Sequence, residues 1–422
     1  MVPATVTDIE LIAAVLFALA LAHTFATKSF ERLADRFPRH AGLLHFFGEV
    51  EVVFGLWAMV LIVAMAFVAG GAPALAYAES RTYTEPLFVF VIMVVAASKP
   101  VLETIRALVD RIAAMLPVRT AVARVWLCLA LVPLIGSFIT EPAAMTLAAL
   151  MLAPLIFRQD RGMPEWLKYG ALGVLFVNIS IGGTLTSFAA PPVLMVAATW
   201  NWDSAFMAAN FGWKAAIAVL INATVVTFIL RGQIGDDDPN AEKPAPVPWL
   251  VSAIHIAFLV AVVAFAHHPV IFLGLFMFFL GFTKAYERYQ NPLLLKEGLL
   301  VGFFLAGLVV LGGMQQWWLQ PIVSGLQPDA LFFGATALTA ITDNAALTYL
   351  GSLIEGMSDE AKYMLVAGAV SGGGLTVVAN APNPAGVSLL RDGFNDESIG
   401  VGELLLGALP PTAVAMLALF LL

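Results

Sequence analysis

The sequence predicts an all-α polytopic membrane protein built from two inverted repeats. Three observations lead there: an apolar composition, a series of apolar stretches of spanning length, and two further stretches broken midway by polar residues that match across the chain. Of 422 residues, 60% are hydrophobic and 12% charged, against about 45–50% and about 25% in an ordinary soluble domain. The mean hydropathy is +0.90. Such a chain is neither disordered nor a soluble domain with one core. With 21 Lys and Arg against 29 Asp and Glu, the formal charge is −8, which gives no support for a nucleic-acid-binding face. Cys128 is the single cysteine, so an intramolecular disulfide and a cysteine-built metal site are excluded.

A helix needs about 20 mostly apolar residues to cross a bilayer. Such stretches run near 9–27, 43–69, 83–98, 168–198, 214–230, 249–266, 269–283, 297–313, 362–390 and 400–421. The first follows the leader MVPATVTDIE, which holds two acids and no base. A secretory signal wants a positive leader, so this stretch reads as a retained helix, and 1–42 as an extra helix with a cytoplasmic loop.

Two more stretches, 121–157 and 329–355, are each too long for one helix. Thr140-Glu141-Pro142 interrupts the first and Thr342-Asp343-Asn344 the second. Each reads as a helical hairpin that enters the membrane, turns at mid-depth and leaves on the same side. Positive charge accumulates in cytoplasmic loops. With an external N-terminus and both hairpins re-entrant, the inside loops carry 18 of the 21 Lys and Arg, leaving only Arg81, Lys214 and Lys362 outside. A crossing at either hairpin would invert everything after it and weaken that bias. The expectation is ten crossings plus two hairpins in a cell inner membrane, with both termini periplasmic. The charged, Pro-rich loop 231–248 reads as a solvated connector. With the helix after it, it forms a segment 231–266 between repeat 1 (43–230) and repeat 2 (267–422).

The repeats share short blocks. Residues 139–146, ITEPAAMT, line up with 341–348, ITDNAALT; GGTLTSFAAPP (182–192) lines up with GGGLTVVANAP (372–382). Each half runs in the same order: two helices, a hairpin, an interrupted helix (168–198 or 362–390) and a final helix. By the charge count one hairpin opens to the cytoplasm and the other outward, so the repeats are inverted. Inverted repeats with broken helices belong to secondary transporters, which place the substrate near the midplane at the repeat interface.

Broken helices expose peptide groups that lipid cannot satisfy, so the breaks must meet protein or a water-filled cavity. Gly182, Gly183 and Gly372 to Gly374 permit tight turns; Pro191, Pro192, Pro382 and Pro384 stop helix continuation. Freed carbonyls, the hydroxyls of Thr184, Thr186 and Thr376, and the amides of Asn380 and Asn383 are hard oxygen ligands suited to Na⁺. Hairpin N-termini pointing inward would instead attract an anion. The acids favour the cation. An acid at mid-membrane costs roughly 2.5–3.5 kcal/mol on insertion scales, and residues that expensive are usually functional. Burial raises a carboxyl pKa and a bound cation lowers it, so Glu141 or Asp343 could trade a proton for a metal ion. The plainer alternatives are a helix cap at Asp343 and a turn acid at Glu141. Asn178, four residues before Gly182, could face the site or make an interhelical hydrogen bond. His45, Glu49 and Glu51 read as a helix start at the interface, with an entry-path role as the alternative. His267 and His268 read as turn residues and His255 as a packing residue. Gln315 to Trp318 read as an interfacial belt.

Paired hairpins tipped by TEP and TDN-AAL, each followed by a GG-x-L-T…P break, resemble the ion transporter superfamily. That group includes bacterial sodium/proton antiporters, arsenite-efflux pumps and divalent-anion/sodium symporters. Over about 43–422 the chain is most similar to the bacterial Na⁺/H⁺ antiporter family. Asp343-Asn344 match the Asp-Asn pair of the antiporter-like and arsenite-efflux-like branches; neither tip matches the Ser-Asn-Thr of the anion symporters. Val193 stands where the family has Asn after the first break, while Asn383 fills the equivalent place in the second half. The resemblance therefore implies one dominant site centred on the second half, and a homodimer with a scaffold part and a moving part.

The resulting expectation is exchange of Na⁺, or another monovalent cation, for H⁺ by alternating access. Asp343 would be the shared carboxylate, with Na⁺ held at Asp343, Asn344, Asn380 and Asn383. Thr342, Gly373 and Thr376 would complete that side, and Thr140, Glu141, Thr184 and Thr186 would close it from the other hairpin. No resident cofactor is expected; the partners are the lipid bilayer, the small cation and a second copy. The alternatives are a Na⁺- or H⁺-coupled carrier of a small organic anion or oxyanion, and a passive channel. An intramembrane aspartyl protease, which needs two carboxylates sharing a proton, lacks its motifs in this chain.

Overall fold

The computed structural model describes residues 7–235 and 246–422. The start of the leader (1–6) and most of the expected connector (236–245) lie outside the described residues. All regular secondary structure among the described residues is helical. Among the described residues, six helical spans are long and apolar enough to cross a bilayer: Asp8–Thr27, Val50–Val68, Glu165–Leu185, Ser204–Leu230, Leu295–Gly312 and Val401–Leu421. Two bent pairs bring the total to eight if each is one span: Thr84–Ala96 with Lys99–Met115, at 62°, and Thr120–Leu129 with Leu131–Ile139, at 44°. The chain is a multi-pass membrane protein.

One apolar stretch is broken where the sequence predicts a continuous run. The 43–69 stretch becomes Ala41–Gly48 and Val50–Val68, because Glu49 between them is extended (ψ 120°). The 83–98 stretch turns at extended Ser98, and Pro100 sits in the first turn of the helix that follows, where a missing N–H is no loss. Trp249–Ala264 and Pro269–Ala285 are apolar but only 16 and 17 residues long.

The chain divides into two compact units. The first comprises Met1–Phe90, Leu295–Gln327 and Tyr349–Ser358. In it the Asp8–Arg36 helix packs on Val50–Val68, which in turn packs along Leu295–Gly312. Gly55 and Gly307 meet at that crossing, and a Cβ on Gly307 would overlap the Gly55 backbone. Close glycine contacts replace the hydrophobic drive that lipid removes between helices. Trp57 donates to His23 Nδ1 (3.1 Å), and His23 Nε2 to the Phe47 carbonyl (2.9 Å).

The second unit comprises Val91–Leu294, Pro328–Thr348 and Asp359–Leu422. It holds both acidic turns and both interrupted helices. Its centre is Glu165–Gly182, almost wholly buried and packed against Val401–Leu421, Trp213–Leu230, Leu131–Ile139 and Asp359–Gly372. Gly173 lies on Gly407 so closely that a Cβ would fall 2.6 Å from the Ala408 nitrogen. Asn178 sits on this central helix. Pro133 has no N–H to bond the Leu129 carbonyl four residues back, and Asn178 Nδ2 takes that carbonyl at 2.7 Å. The proline and the side chain that replaces its lost bond together account for the bend at Ala130. Asn178 also donates to Val219 O (3.2 Å) and accepts from Asn222 (3.0 Å).

Candidate functional site

Both interrupted helices stop at glycine. Glu165–Gly182 passes through a 3₁₀ turn, Gly183–Leu185, and resumes as Pro191–Trp200; Asp359–Gly372 passes through Val377–Ala379 and resumes as Asn383–Leu390. A Cβ on Gly182 would sit 2.7 Å from the Pro133 carbonyl oxygen, and one on Gly372 would sit 2.6 Å from the Thr336 carbonyl oxygen. Only glycine lets each break lie that close to the helix beside it. Pro191 and Pro192, and Pro384 in the other break, fall in the first turns of the resumed helices, where their missing N–H groups leave no bond unmade.

Hydroxyls and amides take up the freed carbonyls. Ser137 Oγ donates to Gly182 O (2.7 Å), Thr184 to Ile181 O (2.6 Å) and Thr186 to Ser137 O (2.6 Å). In the other break Thr376 donates to Ala340 O (2.9 Å), and Asn383 Nδ2 to Gly373 O (2.8 Å) and Thr376 O (2.9 Å). Ser180, on the first interrupted helix, donates to Val370 O on the second (2.8 Å). The protons of Thr184, Thr186 and Thr376 therefore hold unwound backbone in place. Ser137 and Ser180 are not among the residues the sequence points to; their only signal is a small hydroxyl on an apolar helix, one turn before the Thr140 turn or the Gly182 break.

The two acids stand in different settings. Glu141 opens the Glu141–Leu152 helix, whose N-cap Thr140 has φ +79°, a rare conformation for a β-branched residue. Strain of this kind clusters at functional sites. The Glu141 side chain is completely buried. Its Oε2 accepts from Asn380 Nδ2 at 2.8 Å, and any side chain at Gly183 would overlap it. Asp343 is half-buried. Its Oδ1 accepts from the N–H groups of Ala345 (2.8 Å) and Ala346 (3.2 Å), which makes it the cap of the Asn344–Ser352 helix. Thr342, half-buried just before it, bonds through its own N–H to Leu338 O (2.9 Å). Each acid lies within electrostatic reach of the other.

The unpartnered buried side-chain atoms of the described residues include Glu141 Oε1, the adjoining Thr140 Oγ1, Thr339 Oγ1, the Oδ1 atoms of Asn344, Asn380 and Asn383, and Asn344 Nδ2. Gly373 lies beside Asn344 and Asn383. A Cβ there would overlap Ser180 Oγ and lie 2.9 Å from Asn344 Nδ2, and its carbonyl accepts from Asn383. Each unpartnered buried polar atom costs about 1–3 kcal/mol. A hard cation would satisfy several oxygens at once.

Other candidates have structural uses. Asn178 is an interhelical tie. His255 bonds Val251 O and Gln290, and Gln315 bonds Leu311 O and Trp318. Glu49 pairs with Lys296 at 3.1 Å, while His267 and His268 are exposed in a turn.

The profile of a family described as "Putative Na+/H+ antiporter" matches residues 8–422, and the chain belongs to that family. The match begins at residue 8, so it includes the first helix, which the motif resemblance over 43–422 treats as an addition. No curated protein matches the sequence.

Proposed function

From membership of this antiporter family, we propose that the protein exchanges Na⁺, or another monovalent cation, for H⁺ by alternating access, and that Glu141 is the carboxylate both ions share. The observation that carries this is the state of Glu141: fully buried, one oxygen fixed by Asn380 and the other unpartnered. The groups acting on it are Asn380 and Asp343, with no basic side chain among them. A desolvated carboxylate without a basic partner is stable only when a proton or a cation neutralises it. The amide oxygens of Asn344, Asn380 and Asn383 and the Thr140 hydroxyl would complete an all-oxygen shell. Asp343 contributes the field of a second acid.

Paired contacts support two repeats crossing on a shared axis. Gly182 on Pro133 and Gly372 on Thr336 have the same spacing as Thr186 on Ser137 and Thr376 on Ala340. In both comparisons the break positions differ by 190 residues and the neighbouring helix positions by 203. Ser180 and Val370, which bond each other, are themselves 190 apart. With the Lys/Arg bias, this favours re-entrant hairpins opening to opposite sides of an inner membrane, with periplasmic termini; a homodimer is what the family resemblance implies. An anion carrier is disfavoured. Both helix N-termini that would attract an anion carry the protein's own carboxylate, Glu141 in one and Asp343 in the other.

Everted membrane vesicles test the proposal. Adding Na⁺ should dissipate a respiration-driven pH gradient, and Glu141→Gln should abolish the response in a protein that still inserts. Normal exchange by Glu141→Gln would refute the assignment. Uptake of a labelled organic anion in place of Na⁺-driven proton flux would refute the antiport reading itself.

A further inference from the structure

The central helix of the second unit, Glu165–Gly182, also walls a groove. Trp213–Leu230 and Val401–Leu421 supply the other walls, and the cavity holds about 470 Å³. Aliphatic side chains such as Ile221, Val225, Ile229, Leu406 and Val414 line most of it. Its two charged residues, Glu165 and Glu403, both lie in the first turn of their helices. Those helices run parallel. The Gly400 N–H donates to Tyr169 Oη at 2.9 Å near the start, and Gly407 meets Gly173 further along. Both acids therefore stand at one end of the groove. Gly170 leaves its stretch of wall without a side chain, and a Cβ there would meet nothing within 4 Å.

Length and charge say what fits. From Glu403 to Val414 the groove follows its helix for about 16 Å, at about 1.5 Å of rise per residue. Bilayer hydrocarbon is about 30 Å thick, so a groove that starts at a helix end and runs this far stops near the midplane. That is the reach of one acyl chain from one leaflet. Trp166 is exposed at the acidic end, the level at which indoles sit among lipid headgroups. Glu165 accepts from Lys168 Nζ at 3.0 Å, and that buried ammonium also donates to the Gly393 carbonyl (2.6 Å). Glu403 is exposed, and no lysine or arginine among the described residues lines the groove. The acidic mouth favours a headgroup that bears an ammonium and disfavours an anionic one. A second copy of this chain suits the face less well. A two-fold contact brings a patch against itself, which would set Glu403 toward its own copy.

We propose that this groove binds one acyl chain of a phospholipid with a cationic amine headgroup, whose ammonium Glu403 receives. Asn222 lines the groove and donates to Asn178 Oδ1 (3.0 Å) and to Pro411 O (3.2 Å). The seated chain covers this polar tie between the three walls and braces the unit that holds both acidic turns. The site stands apart from the antiport reading.

Native mass spectrometry of the purified full-length protein in detergent counts bound lipid directly. The probes are phosphatidylethanolamine and phosphatidylglycerol with identical acyl chains. The unaltered protein should hold one phosphatidylethanolamine per protomer, roughly tenfold more tightly than phosphatidylglycerol, and should melt at a higher temperature with it bound. Glu403→Gln should erase that preference. Gly170→Leu, whose Cβ meets no neighbour, should fill the groove and lose both the lipid and its thermal shift. Leu406→Trp, at an exposed lining position, blocks the same space if Gly170→Leu does not fold. Equal affinity for the two lipids, or a preference that survives Glu403→Gln, would overturn the proposal. So would full retention of phosphatidylethanolamine by a folded Gly170→Leu or Leu406→Trp variant. Loss of a dimer in place of loss of lipid would assign the face to a second copy and overturn it too.

Discussion

The turn at Thr140-Glu141-Pro142 and the turn at Thr342-Asp343-Asn344 begin with almost the same residues and end in different chemistry. In the first, a threonine at positive φ turns the acid away from its own helix, and the acid is buried against Gly183 with Asn380 on one oxygen. In the second, the acid folds onto Ala345 and Ala346. The lesson is that an acid at a helix break is left to take a partner from elsewhere only when its own helix does not satisfy it. Neighbours along the chain decide less than the residue brought opposite.

Six substitutions, grouped into four tests, probe this contrast in descending order of effect. Glu141→Gln should abolish Na⁺-driven proton flux, whereas Asp343→Asn should reduce it only partly; equal losses would erase the distinction. Gly182→Ala and Gly372→Ala should each destabilise the solubilised protein by about 1–3 kcal/mol, the usual cost of overpacking, because both Cβ atoms meet a rigid carbonyl at 2.6–2.7 Å. Thermal melts showing one tolerated and the other not would argue against equivalent crossings. Asp343→Ala should cost about 1 kcal/mol through the lost N-cap, with local loss of amide protection at Ala345 and Ala346. Thr140→Gly should relieve the positive φ and leave stability unchanged or higher by a few tenths to about 1 kcal/mol. A clear loss of stability would mean that the Thr140 conformation carries no strain.

Much of this was legible in the sequence. Apolar content required a membrane protein, and the glycine and proline pairs marked both breaks. The sequence offers Thr184, Thr186 and Thr376 as oxygen ligands; in the structure their protons bond the Ile181, Ser137 and Ala340 carbonyls. What stayed hidden depends on contacts between distant segments. Nothing local distinguishes Glu141 from Asp343, because the partner of Glu141 lies 239 residues away. The bend at Ala130 required knowing that Asn178 would claim the Leu129 carbonyl freed by Pro133. The break at Glu49 lay inside a run whose hydropathy read as continuous, since one extended residue leaves no periodic trace. Membership of the first helix in the family match was likewise beyond the motifs, which begin much later in the chain.

The most direct test of the central claim is a Na⁺-induced infrared difference spectrum of the purified protein, which reads protonated carboxyl groups by their C=O stretch. Adding Na⁺ should remove a carboxylic-acid band and create a carboxylate band, and both changes should be missing from Glu141→Gln. If the band loss persists in Glu141→Gln and vanishes instead in Asp343→Asn, the exchange belongs to the other acid and Glu141 is not the shared carboxylate.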